Sequence, residues 1–222
     1  MQRRPEARYR EQAIQVFRDA IAAGVDSPLI YGNLARNLLE SGRFEEGAEA
    51  TRQVLRLLGD PALRERVRDR NMAIAYHHRQ EYAKADEIFT RLALKVPLKE
   101  VQNISDLAFV KMSLGHFDEA IAVYDAGLAL LPKSCNLWQE LGLAYAARGK
   151  PGDIDTALAT FDKGITAVPK CGLTYNAAAR LLIKAGRLPE ARKKLDALIK
   201  IAPKSDGAVI AKEILASVAG KG

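Results

Sequence analysis

At 222 residues, with 48% hydrophobic and 6% aromatic side chains, the chain has enough apolar content for a continuous core, which excludes a disordered protein. Lys and Arg number 34 against 27 Asp and Glu, a formal charge of +7, but the two signs are interleaved, so the concentrated basic surface of a nucleic-acid binder is not expected. No run approaches the roughly eighteen apolar residues of a membrane span, and the basic opening MQRRPEARYR is not followed by the apolar stretch of a secretory signal.

Along the chain, the first predicted element is a lone helix in which Ala13, Ile14, Phe17, Ala20 and Ile21 recur at spacings of three and four, behind a polar leader containing Pro5. Residues 1–27 thus form an N-terminal leader and half-repeat. From Pro28 the phrase Gly-x-aromatic-x-x-Ala keeps returning: Gly42-Arg43-Phe44 to Gly47, Gln80-Glu81-Tyr82 to Ala85, Gly115-His116-Phe117 to Ala120 and Gly186-Arg187-Leu188 to Ala191, with a copy from Gly149 to Ala157 that carries three extra residues. Aligning on the last small residue of each phrase puts repeat starts at Pro28, Arg66, Val101, Cys135 and Gly172, a period near 34. Five helix pairs are therefore expected over 28–65, 66–100, 101–134, 135–171 and 172–205. After Pro203, Asp206 is expected to cap a last amphipathic helix within 206–222, with Val209, Ile210, Ile214 and Val218 on one side.

Each column of this alignment has a physical reason. Position 8 holds Ala35, Ala73, Ala108, Gly142 and Ala179, and position 20 holds Gly47, Ala85, Ala120, Ala157 and Ala191, so the two helices of a pair can cross at short range there. Positions 4, 7, 11, 17 and 24 are mostly large, and 4, 7 and 11 share one helical face. Position 32 is Pro97, Pro132, Pro169 or Pro203, with Gly59 in the first pair, which stops the second helix. Asp69 at position 4, Thr51 at position 24 and Lys111 at position 11 are polar departures expected to weaken the core locally.

The run Trp138-x-x-Leu141-Gly142-x-x-Tyr145, followed by Ala157, Phe161 and Pro169, resembles the tetratricopeptide repeat, and the likeness extends over residues 28–205. The resemblance implies an all-α, right-handed α-α superhelix of five full repeats, with the N-terminal half-repeat and a C-terminal capping helix at its ends. It implies a non-catalytic scaffold that binds a peptide or helix of a partner protein in a concave groove, within a multiprotein assembly. Positions 2, 5, 6, 9, 12 and 13 of each first helix would look into that groove. Candidate groove residues are Asn33, Arg36, Arg70, Asn71 and His77, able to bond a peptide backbone or carboxylate. Further along stand Phe109, Met112, Gln139, Leu143, Asn176 and Arg180; Phe109, Met112 and Leu143 are apolar where packing does not require it. The Lys and Asn pattern of chaperone-tail clamps in this family is absent, since the residues at positions 5 and 9 are Gly32/Arg36, Arg70/Ile74, Ser105/Phe109, Gln139/Leu143 and Asn176/Arg180. The alternative is a substrate-recognition or targeting arm of a larger enzyme, such as a glycosyltransferase.

No catalytic, cofactor or metal site is expected. His77 and His78 are adjacent and point about 100° apart on a helix, and His116 sits in a turn. The carboxylates Glu45/Glu46, Asp118/Glu119 and Asp153/Asp155 all fall at the start of second helices, where they serve backbone N–H groups and the helix dipole. Cys135 and Cys171 stand in nearly equivalent loops one repeat apart. Packed helices are about 8–10 Å apart, beyond the roughly 7 Å reach of a disulfide, so both are expected as free thiols. The expected partner is a protein or peptide, with acidic groups for the Arg-rich end; no nucleic acid or membrane insertion is expected, and self-association is allowed for. The expected compartment is the cytoplasm for the chain as it stands, and the periplasm or a membrane tether if an upstream segment belongs to it. The N-terminal half-repeat, which lacks a polar cap, points to an excerpt of a longer protein.

Overall fold

In the computed structural model, residues 5–95 and 101–219 are described, and they form twelve α-helices with no strand among them. They divide into two compact units, residues 1–97 and 98–222. The N-terminal unit holds α1 (Pro5–Ala22), α2 (Pro28–Glu40), α3 (Phe44–Leu57), α4 (Pro61–His78) and α5 (Tyr82–Lys95). The C-terminal unit holds α6 (Val101–Ser113), α7 (Phe117–Leu130), α8 (Cys135–Arg148), α9 (Asp153–Ala167), α10 (Gly172–Lys184), α11 (Leu188–Ile201) and α12 (Asp206–Ser217). The pairs α2/α3, α4/α5, α6/α7, α8/α9 and α10/α11 pack as hairpins, flanked by the single helices α1 and α12.

Local sequence sets the helix ends. The hydroxyl of Ser27 accepts the Leu29 N–H (3.3 Å), that of Ser134 accepts Leu137 N–H (3.3 Å), and Asp60 accepts Ala62 N–H (2.9 Å). Asp60 with Pro61 at the first helical position starts α4 five residues ahead of Arg66, where the repeat alignment begins. The cap of α12 is Ser205, whose hydroxyl accepts the Ala208 N–H (3.1 Å); Asp206 is already in the first turn. Ile214 and Val218 at the end of the chain are buried, whereas Val209 is exposed. Between the helices of a hairpin, Gly42, Gly115, Gly149 and Gly186 take a left-handed backbone, and Gln80 takes it (φ 64°) in the α4/α5 turn. The second helices end before Gly59, Pro132, Pro169 and Pro203, while Pro97 lies outside the described residues.

The small columns are contact points. Ala35, Ala73, Ala108, Ala120, Ala157 and Ala179 are wholly buried. A Cβ on Gly142 would overlap the ring of Phe161, and one on Gly164 would stand 2.6 Å from Trp138 Cβ. In the C-terminal unit, Ile104, Tyr124, Leu137 and Leu141 form one core cluster, and Tyr175, Leu195, Leu198 and Ile214 another. Ile154, at a column otherwise occupied by packing side chains, is partly exposed beside the three-residue insertion.

The polar departures are paired across helices. Thr51 Oγ1 accepts from Asn71 Nδ2 (2.9 Å), buried Asp69 takes Arg91 Nη2 (3.1 Å) and Arg68, and Lys111 meets Glu119 (2.9 Å). Arginines in the hairpin turns reach carboxylates of their own second helix and of the preceding one. Arg43 pairs with Glu46 and Glu11, Arg148 with Asp153 and Asp118, and Arg187 with Glu190 and Asp155. The first-turn carboxylates thus act as ends of inter-hairpin ion pairs as well as helix-start charges.

The expectation of free thiols is overturned: Cys135 and Cys171 form a disulfide, with Cα atoms 5.7 Å apart. The average spacing of packed helices does not describe their ends. At the start of α10 and α12, a Cβ on Gly172 would lie 2.7 Å from Gly207 Cα. The N-terminal ends of neighbouring first helices therefore converge to backbone contact, and Cys135 and Cys171 sit at such a convergence.

Candidate functional site

The first helices of the C-terminal unit carry an exposed surface that is apolar on α6 and α8 and basic on α10. In α8 the buried side chains Leu137, Leu141 and Ala144 fix one face inward, so Leu143, about 200° around from Leu141, faces outward and is 42% exposed. In α6, Ile104, Leu107, Ala108 and Val110 are buried, and Phe109 between them is 54% exposed. Met112, one turn on from Phe109, is half-buried against the α6/α7/α8 core. In α10, residues 174–179 and Leu182 are buried, leaving Leu173, Arg180 and Lys184 along one exposed stripe at spacings of seven and four. The same spacings align exposed Asn136, Leu143 and Ala147 on α8. α8 packs against both α6 and α10, so Phe109, Leu143 and Arg180, all at position 9 of their repeats, occupy successive helices.

Two residues that sequence reasoning had placed on this face behave differently from Leu143. Asn176 is 7% exposed, and its Nδ2 donates to the Gly207 carbonyl (3.0 Å), so α12 covers it. Gln139 is half-buried. Glu140, which sequence analysis did not single out, is a junction: Ser105 Oγ donates to Glu140 Oε2 (2.6 Å), and the Tyr124 phenol hydrogen-bonds the same carboxylate. Burial first, and then the Glu140 charge and hydrogen bond, push the Tyr124 phenol far above its ordinary range. The signal was available only as a large residue at position 24 and an acid at position 6 of the next repeat.

In the N-terminal unit the polar candidates are more engaged. Arg36 pairs with Glu40, which also holds Arg10 (3.1 Å). Asn71 points its amide at Thr51 of α3. The Asn33 carbonyl accepts the Asn37 amide (2.8 Å), and Arg70 is half-buried on α4. The His77 ring lies 5.2 Å from the ring of Tyr82 and 5.3 Å from that of His78. Asn33, Arg36, Arg70, Asn71 and His77 lie on α2 and α4, which pack together.

Among the described residues, no group of three or more His, Cys, Asp or Glu side chains is placed to hold a metal ion, and no helix is long and apolar enough to cross a membrane. His116 faces Glu119 at 3.5 Å in the α6/α7 turn.

Residues 151–206 match the family model described as tetratricopeptide repeat. Over that stretch the chain carries the tetratricopeptide repeat. Solved structures of this fold superpose over most of the chain. The thermophilic tetratricopeptide-repeat protein TTC0263 of Thermus thermophilus is 20% identical, with a TM-score of 0.60 over 86% of this chain and 100% of that one. Yeast Tom70 is 11% identical, with a TM-score of 0.65 over 93% of this chain and 42% of Tom70. The hetero-tetramer Cut9–Hcn1 of the APC/C contributes a chain that is 15% identical, with a TM-score of 0.55 over 93% of this chain and 39% of that one. No curated protein sequence matches the chain.

Proposed function

We propose that the C-terminal unit binds a peptide or short helix of a partner protein across α6, α8 and α10, as a non-catalytic scaffold within a larger assembly. The observation that carries this reading is the pair Phe109 and Leu143. Both are exposed, both stand at position 9 on neighbouring first helices, and the core beneath them is filled by other residues. Aromatic side chains are enriched in the cores of protein interfaces, so Phe109 is the principal anchor, with Leu143 extending its apolar contact. Met112, packed against the same core one turn on from Phe109, would add apolar surface, and Gln139 would supply a hydrogen-bonding edge for a ligand backbone. The polar residues of the N-terminal unit enter the proposal only as a second surface, because Arg36 and Asn71 would have to leave Glu40 and Thr51 to serve a ligand.

The test is selection of phage-displayed random peptides on the whole chain, followed by titration of the enriched peptides. Phe109→Ala and Leu143→Ala should each weaken binding by about 1–3 kcal/mol while leaving the helical circular dichroism unchanged. Enriched peptides indifferent to both substitutions would place the binding surface elsewhere.

A further inference from the structure

The exposed stripe of α10 differs in chemistry from its neighbours, and the difference bears on what the partner must carry. Phe109 on α6 and Leu143 on α8 are followed, at the same position of the next first helix, by Arg180. Lys184 lies four residues further along α10, on the same face. Helix α10, GLTYNAAARLLIK, contains no acidic residue. Among the described residues neither Arg180 nor Lys184 takes part in an ion pair, whereas Arg148, Arg187 and Lys194 of the same unit are each held by carboxylates. On α8 the residues beside them in register, Leu143 and Ala147, bear no charge.

We infer that the partner is a peptide in extended, polyproline-type conformation with apolar side chains at a first residue and three residues on, and a carboxylate three residues after that. Resting on the binding reading above, this places the two apolar groups on Phe109 and Leu143 and the carboxylate between Arg180 and Lys184. The spacing follows from two lengths. Packed helices are about 8–10 Å apart along their middles, and position 9 stands about two turns in from the N-terminal ends where α8 and α10 converge. Three residues of polyproline II advance about 9.3 Å and return to the same side of the chain, because that helix has three residues per turn. A β-strand alternates sides with each residue, so residues three apart face opposite ways. Each step of three in the ligand therefore matches one step from first helix to first helix. At the third step the surface changes from apolar to cationic, and two donors four residues apart can hold one carboxylate by charge-assisted hydrogen bonds.

The experiment is the same phage selection on the whole chain, run in parallel on wild type and on the double variant Arg180→Glu/Lys184→Glu. Both side chains are exposed, so the helical fold should be retained, which circular dichroism verifies. Wild type should enrich peptides with apolar residues three apart and Asp or Glu three residues later. The double variant should enrich Lys or Arg at that last position. A synthetic peptide from the wild-type selection should lose about tenfold in affinity to Arg180→Ala/Lys184→Ala. Most of that loss should vanish when ionic strength is raised, as for solvent-accessible charge pairs. Enriched peptides that depend on Phe109 and Leu143 but show no acidic preference, or one that charge reversal does not alter, would overturn this inference and leave the scaffold reading standing. Peptides indifferent to Phe109 and Leu143, or no enrichment at all, would overturn both.

Discussion

Opening the Cys135–Cys171 bond removes a cross-link between residues 36 apart in sequence. In the chain-entropy description, a closed loop of that length restricts the unfolded ensemble by about 3.8 kcal/mol at 25 °C. This is a large part of a typical domain stability of about 5–15 kcal/mol. The bond joins the N-terminal ends of α8 and α10; its Cys171 half is buried (2% exposed) and its Cys135 half is partly exposed. Urea unfolding read by tryptophan fluorescence is well suited to the measurement, because the single tryptophan, Trp138, lies on α8 between the two cysteines and donates its indole N–H to the Pro132 carbonyl (2.9 Å). With a urea dependence of about 2 kcal/mol per molar, reduction should lower the midpoint by about 2 M. The variant Cys135→Ser/Cys171→Ser, with or without reductant, should unfold at the same midpoint as the reduced wild type. Equal midpoints for oxidised and reduced wild type, or two titratable thiols in the native oxidised chain, would refute the reasoning.

Other substitutions test the packing and the charge pairs. Gly142→Ala drives a methyl group into the buried Phe161 ring and should cost about 1–3 kcal/mol in thermal unfolding. Ala120→Leu, at a wholly buried helix crossing, should do comparable damage, whereas Phe109→Ala should leave the melting curve nearly unchanged because Phe109 is exposed. Gln80→Gly relieves a left-handed backbone at the α4/α5 turn and should stabilise the chain by up to about 1 kcal/mol, seen as a rise in melting temperature. Asp153 is held below the usual carboxylate range first by its hydrogen bond from Arg148, with burial opposing and the Lys150 N–H assisting. Its contribution is complete above the ordinary aspartate value of about 3.9 and is lost as pH falls through the lower folded value. Asp153→Asn should therefore flatten the loss of stability below about pH 4, measured by urea midpoints across that range.

The repeat architecture could be read before any coordinates because its causes are local and periodic. Small residues recur where helices cross, Gly ends most first helices, and Pro or Gly follows second helices. Those features depend on steric fit within a few residues, so a single chain displays them. The family resemblance placed Phe109 and Leu143 at an outward-looking position of their helices, and both are exposed. What the periodicity does not contain is the angle between neighbouring helices. That angle brings Cys135 to Cys171 and Gly172 to Gly207, although the mean spacing of packed helices would keep such residues apart. It also lays α12 over Asn176, turning a residue in a groove register into a buried donor to the Gly207 carbonyl. Polar residues in core columns obey the same division. Thr51, Asp69 and Lys111 read as weaknesses one at a time, and only the packing of helix on helix supplies Asn71, Arg91 and Glu119 as their partners.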